Sequence, residues 1–404
     1  MIPLAAIRTR RCERLLVRGV NWLGDAVMST PALLRLREAL PDTHISLLTP
    51  EKLADLWVHH PAVDAVLMFT EQDSAWSIGK QLRQQEFDAG LVLPNSPRSA
   101  LELWLGRVPV RVGYAAAWRR WFLTHPLPPR PGAIQMRKRS PAEVKRLVRS
   151  HPERPQPSTL NPQPSTLNPL RFASHHLHHY LHLAAALGAN PAPLAPMVAL
   201  SDRESGLVAE RFGFRPAGPD AAPRLALHAG AEYGPAKRWP GDRFAAAAVE
   251  LHRRTGCHWV ILGGPAETAL ASWLATEIAR HAPGPQPGAG ALPPPAPVSN
   301  LAGRTSLREL AAALKACRVL LANDSGPMHL AAAVGTPVVV PFGSTSPELT
   351  GPGLPGDTRQ RVLRANAPCS PCFRRQCPLD LRCLTGISVD QVVQAVLEVV
   401  EPCR

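Results

Sequence analysis

Four short stretches carry side chains whose types and spacing suit chemistry on an activated, anionic substrate. The first is Asn323-Asp324-Ser325-Gly326, which follows the apolar run Val319 to Ala322 and precedes Pro327 and an Ala-rich segment from Met328 to Val334. A buried strand, a tight turn and a helix start with proline at its first position predict backbone N–H groups just past the carboxyl end of a strand, a ready anion site. Asp324 on the rim repels a bare phosphate but can accept hydrogen bonds from sugar hydroxyls, so a nucleotide-sugar suits this turn better than a bare nucleotide. The alternative is that Asp324 and Ser325 only cap the helix.

The second stretch is the loop Ala229 to Pro240, where Gly230, Ala231 and Gly234 precede the adjacent cations Lys237 and Arg238. Backbone N–H groups plus a lysine ammonium after a strand make a cradle for a diphosphate. The third is Gly263-Gly264-Pro265 with Glu267, again strand, turn and helix start, which puts an acid where a ribose can be bound. The fourth is Asn21-Trp22-Leu23-Gly24-Asp25, with Asp25 at a helix entrance where the dipole favours its ionised form. A plain capping or dipole role is the alternative for Asp25.

The elements that must hold these residues alternate. Apolar strand runs at 14–20, 45–48, 63–69 and 90–93, and again at 224–228, 259–262, 319–322 and 337–342, are separated by helical stretches such as 26–40, 242–253 and 307–315. That order predicts an α/β fold with mostly parallel sheets. With 404 residues the chain is long enough for two domains, and the proline-rich Asn190 to Pro196 marks the boundary between 1–190 and 197–404. The heptapeptide QPSTLNP, twice in tandem between Gln156 and Pro169, predicts a disordered insertion over about 136–171, and the Pro/Gly tract 281–297 a flexible loop. The chain closes on an amphipathic helix, 389–400.

The formal charge of +14 calls for an anionic partner. Aromatics at only 5% and the lack of a zinc-finger spacing or an aromatic-basic strand argue against nucleic acid. From Arg98 onward Arg98, Arg111, Arg119 and Arg120 are interspersed with Trp104, Trp118 and Trp121, a pattern that suits an interface with anionic headgroups. No apolar run is long enough to cross a bilayer and no signal peptide is read at the start, so the expectation is a cytoplasmic protein, peripheral on the membrane, with its eight cysteines reduced.

Three features look like sites and read better as structure. His175 and His179, four apart, suggest a metal, but a surface helix explains them more simply. Gly351 to Gly356 fits G-x-G-x-x-G without a strand before or a helix after, and reads as a surface turn. Cys369, Cys372, Cys377 and Cys383 can hold a zinc or an iron–sulfur cluster or be free thiols in a compact loop; their spacing matches no standard zinc pattern.

Taken together, NWLGDAVMSTPAL, NSPRSALELWLGRVPVRVGY, HAGAEYGPAKRWP, NDSGPMHLAAAVGTPVVVPFGSTSP and APCSPCFRRQCPLD resemble, in order and over nearly the whole chain, the ADP-heptose:lipopolysaccharide heptosyltransferases of glycosyltransferase family 9, most nearly the heptosyltransferase II members. The resemblance implies a GT-B architecture, two Rossmann-like domains facing a cleft, and inverting transfer of heptose from ADP-heptose to a heptosyl-Kdo2-lipid A acceptor at the inner membrane face. It places Asp25 as general base and Lys237 on the donor diphosphate. Asp324, Ser325, Gly326 and Met328 fall around the donor sugar and phosphates, with Gly230 and Ala231 beside them, Glu267 at the ribose and Thr305 at the adenine. Arg98, Arg111, Arg119 and Arg120 are expected to meet the acceptor. The sequence has no Asp-x-Asp to hold a metal on the diphosphate, so no cofactor and no metal are expected. The chain departs from the family at CPLDLRC, where a histidine is expected at or beside Leu381, so the resemblance assigns the cysteines no role. Two other readings are a GT-B transferase with another nucleotide-sugar or a protein acceptor, and a non-catalytic basic membrane-surface protein.

Overall fold

The computed structural model describes residues 12–134, 136–151, 157–160 (backbone), 174–214, 222–281 and 297–400. They form two compact units. One holds the described residues up to Ile134 and those from 174 to Ala199; the other holds those from 136 to 160 and from Leu200 onward.

In the first unit β1 (Arg14–Arg18), β2 (His44–Pro50), β3 (Ala65–Phe69), β4 (Ala89–Val92), β5 (Val110–Tyr114) and β6 (His125–Leu127) make one sheet in the order β3-β2-β1-β4-β5-β6, with every pairing parallel. Leu15, Leu16 and Val17 are fully buried, as expected for a parallel strand covered on both faces. The direction of winding reverses between β1 and β4, and the crevice beyond their carboxyl ends is where such sheets bind ligands. The helix Leu23–Ala39 starts there, directly after β1.

A buried ion pair fixes the turn that leads into this helix. Arg18 Nε donates to Glu102 Oε2 at 2.7 Å, and Arg18 Nη1 reaches the Gly19 carbonyl and Asn21 Oδ1. Glu102 is fully buried and Arg18 nearly so. Removing one member leaves an uncompensated charge, so Glu102→Ala is expected to cost about 3–5 kcal/mol. Thermal melting of the full chain checks this: a midpoint within roughly 1 °C of the wild type would show that the pair contributes little.

The second unit repeats the winding. In chain order β7 (Pro157–Leu160), β8 (Arg224–His228), β9 (His258–Ile261), β10 (Val298–Asn300), β11 (Val319–Ala322), β12 (Val338–Phe342) and β13 (Arg361–Ala365) form a sheet ordered β10-β9-β8-β11-β12-β13-β7. All its pairings are parallel except β7 against β13. The switch point lies between β8 and β11, so the loops after these strands border one crevice. The α/β class with two Rossmann-like, mostly parallel sheets is therefore as the sequence predicts.

Three expectations need correction. The stretch 136–171 is not disordered throughout: Pro141–Ser150 is a helix, capped by Ser140, which accepts from the Glu143 N–H. Its Val144 and Val148, one helical turn apart, are buried in the core of the second unit, and the Arg139 N–H donates to the Cys372 carbonyl at 3.0 Å. This segment thus belongs with the second unit, not with 1–190. The rest of the repeat, apart from the strand β7, and nearly all of the 281–297 tract lie outside the described residues. The histidine-rich helix, His176–Ala185, is not a surface helix either: Leu177, Tyr180, Leu181 and Ala184 bury a stripe against the Leu23–Ala39 helix. The Gly351–Gly356 stretch is a turn as expected, but Gly351, Pro352 and Gly353 are buried.

Candidate active site

At the β8/β11 switch point the two predicted loops meet. Asn323, fully buried at the end of β11, donates from Nδ2 to the Ala229 carbonyl at 2.7 Å and accepts the Trp239 N–H on Oδ1 at 2.8 Å. One side chain thereby fastens both ends of the Ala229–Trp239 loop to the turn. The loop turns through Gly234 (φ 149°), where a Cβ would come within 2.6 Å of the Arg375 carbonyl oxygen, so a side chain does not fit there.

This fastening brings Lys237 Nζ to 2.6 Å from Asp324 Oδ2. Asp324 is 3% exposed, and the Thr345 hydroxyl donates to the same carboxylate oxygen. The ammonium lies over the Tyr233 ring at 5.0 Å, with the Arg375 guanidinium 5.3 Å from the same ring. Two cations thus lie near one aromatic ring, and one of them is paired with a buried acid.

Ser325 is the N-cap residue of the helix Gly326–Ala333, but its side chain makes no capping hydrogen bond. Its hydroxyl instead lies 3.2 Å from His228 Nδ1 and donates to the Asn323 carbonyl at 3.1 Å. Simple capping by Ser325 is therefore overturned, and Asp324 is occupied by Lys237 and Thr345. The other nitrogen of His228, Nε2, lies 3.1 Å from Glu267 Oε2, which also accepts the Gly264 N–H. Burial pushes the Glu267 carboxyl up, but the bonds from His228 and Gly264 outweigh it and hold it below the usual range. Glu267 packs so tightly on Gly230 that a Cβ there would lie 1.5 Å from Oε1. His228, Thr345 and Tyr233 were not singled out from the sequence, and Asn323 was named only as part of its turn. Only the position of His228 at a strand end, beside a predicted ligand loop, could have signalled one of them.

The remaining donor-side residues lie less directly in the cluster. Ala231 is buried, and its carbonyl accepts from Arg238 Nη2 at 3.2 Å. Met328 is fully buried, so its side chain packs within the core. Thr305 is half-buried in the loop after β10.

In the first unit, Asp25 occupies the first turn of the Leu23–Ala39 helix, whose N-cap is Trp22. Tyr180 donates its phenol O–H to Asp25 Oδ1 at 2.9 Å, and His176 Nδ1 is 3.9 Å from the same oxygen. The carboxylate is 30% exposed. It therefore combines access to solvent with a fixed, buried donor.

The four arginines expected at the acceptor divide into two kinds. Arg120 is exposed over the Trp121 ring, and Arg98 is half-exposed on Glu102. Arg111 instead donates to the Phe122 and Val108 carbonyls, and Arg119 is fully buried, donating to the Pro94 carbonyl and Asn95 Oδ1. Burial lowers the Arg119 guanidinium to about 10. Both supply donors to irregular backbone; Arg119 is too buried to be a surface cation for a ligand, whereas Arg111 is half-buried.

The four cysteines line one small cavity with Val144, Ala236 and Arg382. Burial pushes the Cys369, Cys372 and Cys383 thiols up. Among the described residues no group of three or more His, Cys, Asp or Glu side chains is arranged to hold a metal ion. His175 accepts from the Leu177 N–H, and His179 packs at a tilt on Tyr114 with ring centroids 4.2 Å apart, which accounts for both histidines of the suspected metal pair.

The sequence matches the model of glycosyltransferase family 9 (heptosyltransferase) over residues 165–382. It is 28% identical to lipopolysaccharide heptosyltransferase 2 of Salmonella typhimurium over 346 residues, 84% of this chain and 85% of that one. Among solved structures, E. coli ADP-heptose LPS heptosyltransferase II superposes with a TM-score of 0.70 at 23% identity, covering 96% of this chain and 98% of that one. E. coli heptosyltransferase WaaC with ADP gives 0.62 at 18% identity, covering 95% and 99%. These two likenesses are likenesses of fold.

Proposed function

Because the chain belongs to glycosyltransferase family 9, whose model matches more than half of it, we propose that it transfers L-glycero-D-manno-heptose from ADP-heptose to the heptosyl-Kdo2-lipid A inner core of lipopolysaccharide, with inversion. The observation that carries this reading is the Lys237–Asp324 pair beside the Ser325–Gly326 helix start, an arrangement suited to a sugar joined to a diphosphate. Similarity to a Salmonella lipopolysaccharide heptosyltransferase 2, and in fold to a heptosyltransferase solved with ADP, supports it.

In this reading Asp25 removes the proton from an acceptor hydroxyl as that oxygen attacks the anomeric carbon from the face opposite the leaving group. The bond from the anomeric carbon to the diphosphate oxygen breaks, and its electron pair leaves on ADP. Lys237, the Ser325 hydroxyl and the Gly326 helix start stabilise that charge, Asp324 accepts from the sugar hydroxyls, and Glu267 accepts from the ribose. Gly230 and Ala231 frame the diphosphate, and Thr305 contacts the adenine. The leaving group is neutralised by these protein groups, so transfer proceeds without a metal ion.

The acceptor is a lipid, and the features that suit a membrane surface are exposed indoles with cations: Trp118 (79% exposed), Trp121 (77%) and Arg120. No helix among the described residues is long and apolar enough to cross a bilayer. We place the enzyme on the cytoplasmic membrane face as a peripheral protein.

The test is ADP release by the purified full chain given ADP-heptose, with and without deacylated lipid A core acceptors, each with and without EDTA. Acceptor-dependent release, equal in both EDTA arms, is expected. No release with any core acceptor would overturn the function, and loss of release in EDTA would overturn metal independence.

A further inference from the structure

A general base must be ionised and aimed, and the first unit contains a device suited to both tasks. The helix His176–Ala185 lies against the start of the Leu23–Ala39 helix and points two side chains, one turn apart, at the same carboxylate. Tyr180 is 5% exposed, and its phenol oxygen lies 2.9 Å from Asp25 Oδ1. His176 Nδ1 lies 3.9 Å from that oxygen, beyond hydrogen-bond reach.

We infer that Tyr180 is the positioning residue of Asp25: its phenol O–H holds Oδ1, fixes the plane of the carboxylate and favours its ionised form. The inference rests on the reading of Asp25 as the general base.

Three physical points support it. First, burial pushes the Tyr180 phenol well above its ordinary range, and the charge of Asp25 and the presence of Tyr114 push the same way, so it remains a donor at every working pH. Second, a donor bonded to a carboxylate stabilises the anion over the acid, whose neutral oxygen accepts more weakly. Third, the tyrosine ring is itself packed: His179 lies edge-on against it at 5.7 Å, and His179 in turn packs at a tilt on Tyr114 of β5. The other titrating groups around this cluster are His176, His179, His182 and Arg130. Burial, followed by the charges of His176 and Arg130, lowers His179 to about 3, so His179 is neutral where the enzyme works.

Tyr180→Phe keeps the ring and removes one O–H. Its expected effects are a fall of about tenfold in kcat, ADP-heptose KM within about twofold, and an acid limb of the kcat/KM profile moved up by about one pH unit. The sign follows from the hydrogen bond: without the donor the carboxylate takes up its proton at higher pH, and activity is lost sooner on acidification. Asp25→Asn is measured alongside. If Asp25→Asn is inactive and the Tyr180→Phe profile superimposes on the wild type, the positioning role is wrong while the base assignment stands. If Asp25→Asn retains turnover, the base assignment fails and the inference with it. Should Tyr180→Phe not fold, 3-fluorotyrosine at position 180 keeps the ring and strengthens the donor. The acid limb should then move to lower pH, and an unmoved limb would overturn the inference.

Discussion

Asp25→Asn is expected to lower kcat by a factor of about 10²–10⁴, the usual contribution of a positioned base, while leaving ADP affinity within about twofold. Asparagine has nearly the same shape and can still accept the Tyr180 hydroxyl, now 2.9 Å from Oδ1, so the local packing survives. What it lacks is basicity. The fold should hold as well: the Ala26 N–H still donates to the Trp22 carbonyl at 2.9 Å, and losing a first-turn charge costs only about 0.3–1 kcal/mol. ADP affinity is insulated because the residues assigned to the donor belong to the second unit. Steady-state kinetics with saturating acceptor, together with ADP titration by calorimetry, separate the two quantities. A kcat within about threefold of the wild type would remove Asp25 from the chemistry.

Much of the architecture was readable because parallel strands buried on both faces appear as short apolar runs; 319–322 and 224–228 are strands over the very residues expected. Turns beyond the carboxyl ends of such strands are where these sheets bind ligands, so Lys237, Asp324, Gly230 and Glu267 could be proposed by type and place. Pairings between loops could not. That Lys237 closes on Asp324, or that His228 stands between Glu267 and Ser325, depends on Asn323 fastening two loops together, and no local pattern encodes such a contact. Tyr180 lies 155 residues from the aspartate it binds. Composition also misled in three places. The histidines of 176–185 hid a buried stripe of Leu177, Tyr180, Leu181 and Ala184, and the tandem repeat drew attention from Val144 and Val148 just before it. Arg119 reads as a surface cation by type, yet it is buried because irregular backbone around Pro94 needs a donor.

Lys237→Ala should lower kcat/KM by about 10²–10³, with the loss shared between a higher ADP-heptose KM and a lower kcat, comparable to removing one donor from a preorganised anion site. The sharing follows from its position. In the proposed site the ammonium would meet the diphosphate already in the ground state, which sets affinity, and more strongly as charge grows on the departing oxygen, which sets rate. The variant also uncovers Asp324, whose 3% exposed carboxylate would keep the Thr345 hydroxyl but lose the cation 2.6 Å away, leaving a negative charge facing a negative ligand. Lys237→Ala combined with Asp324→Asn should therefore recover part of the lost donor affinity but not the rate, since the repulsion is gone while the leaving group still lacks its counter-charge. Lys237→Arg should fall between wild type and alanine: the charge is retained, but a planar fork replaces a compact ammonium in a space bounded by Tyr233 and Asp324. If Lys237→Ala turns over with kcat/KM within about threefold of the wild type, the diphosphate is held elsewhere, and the Arg375 guanidinium over the same tyrosine ring becomes the cation to remove next.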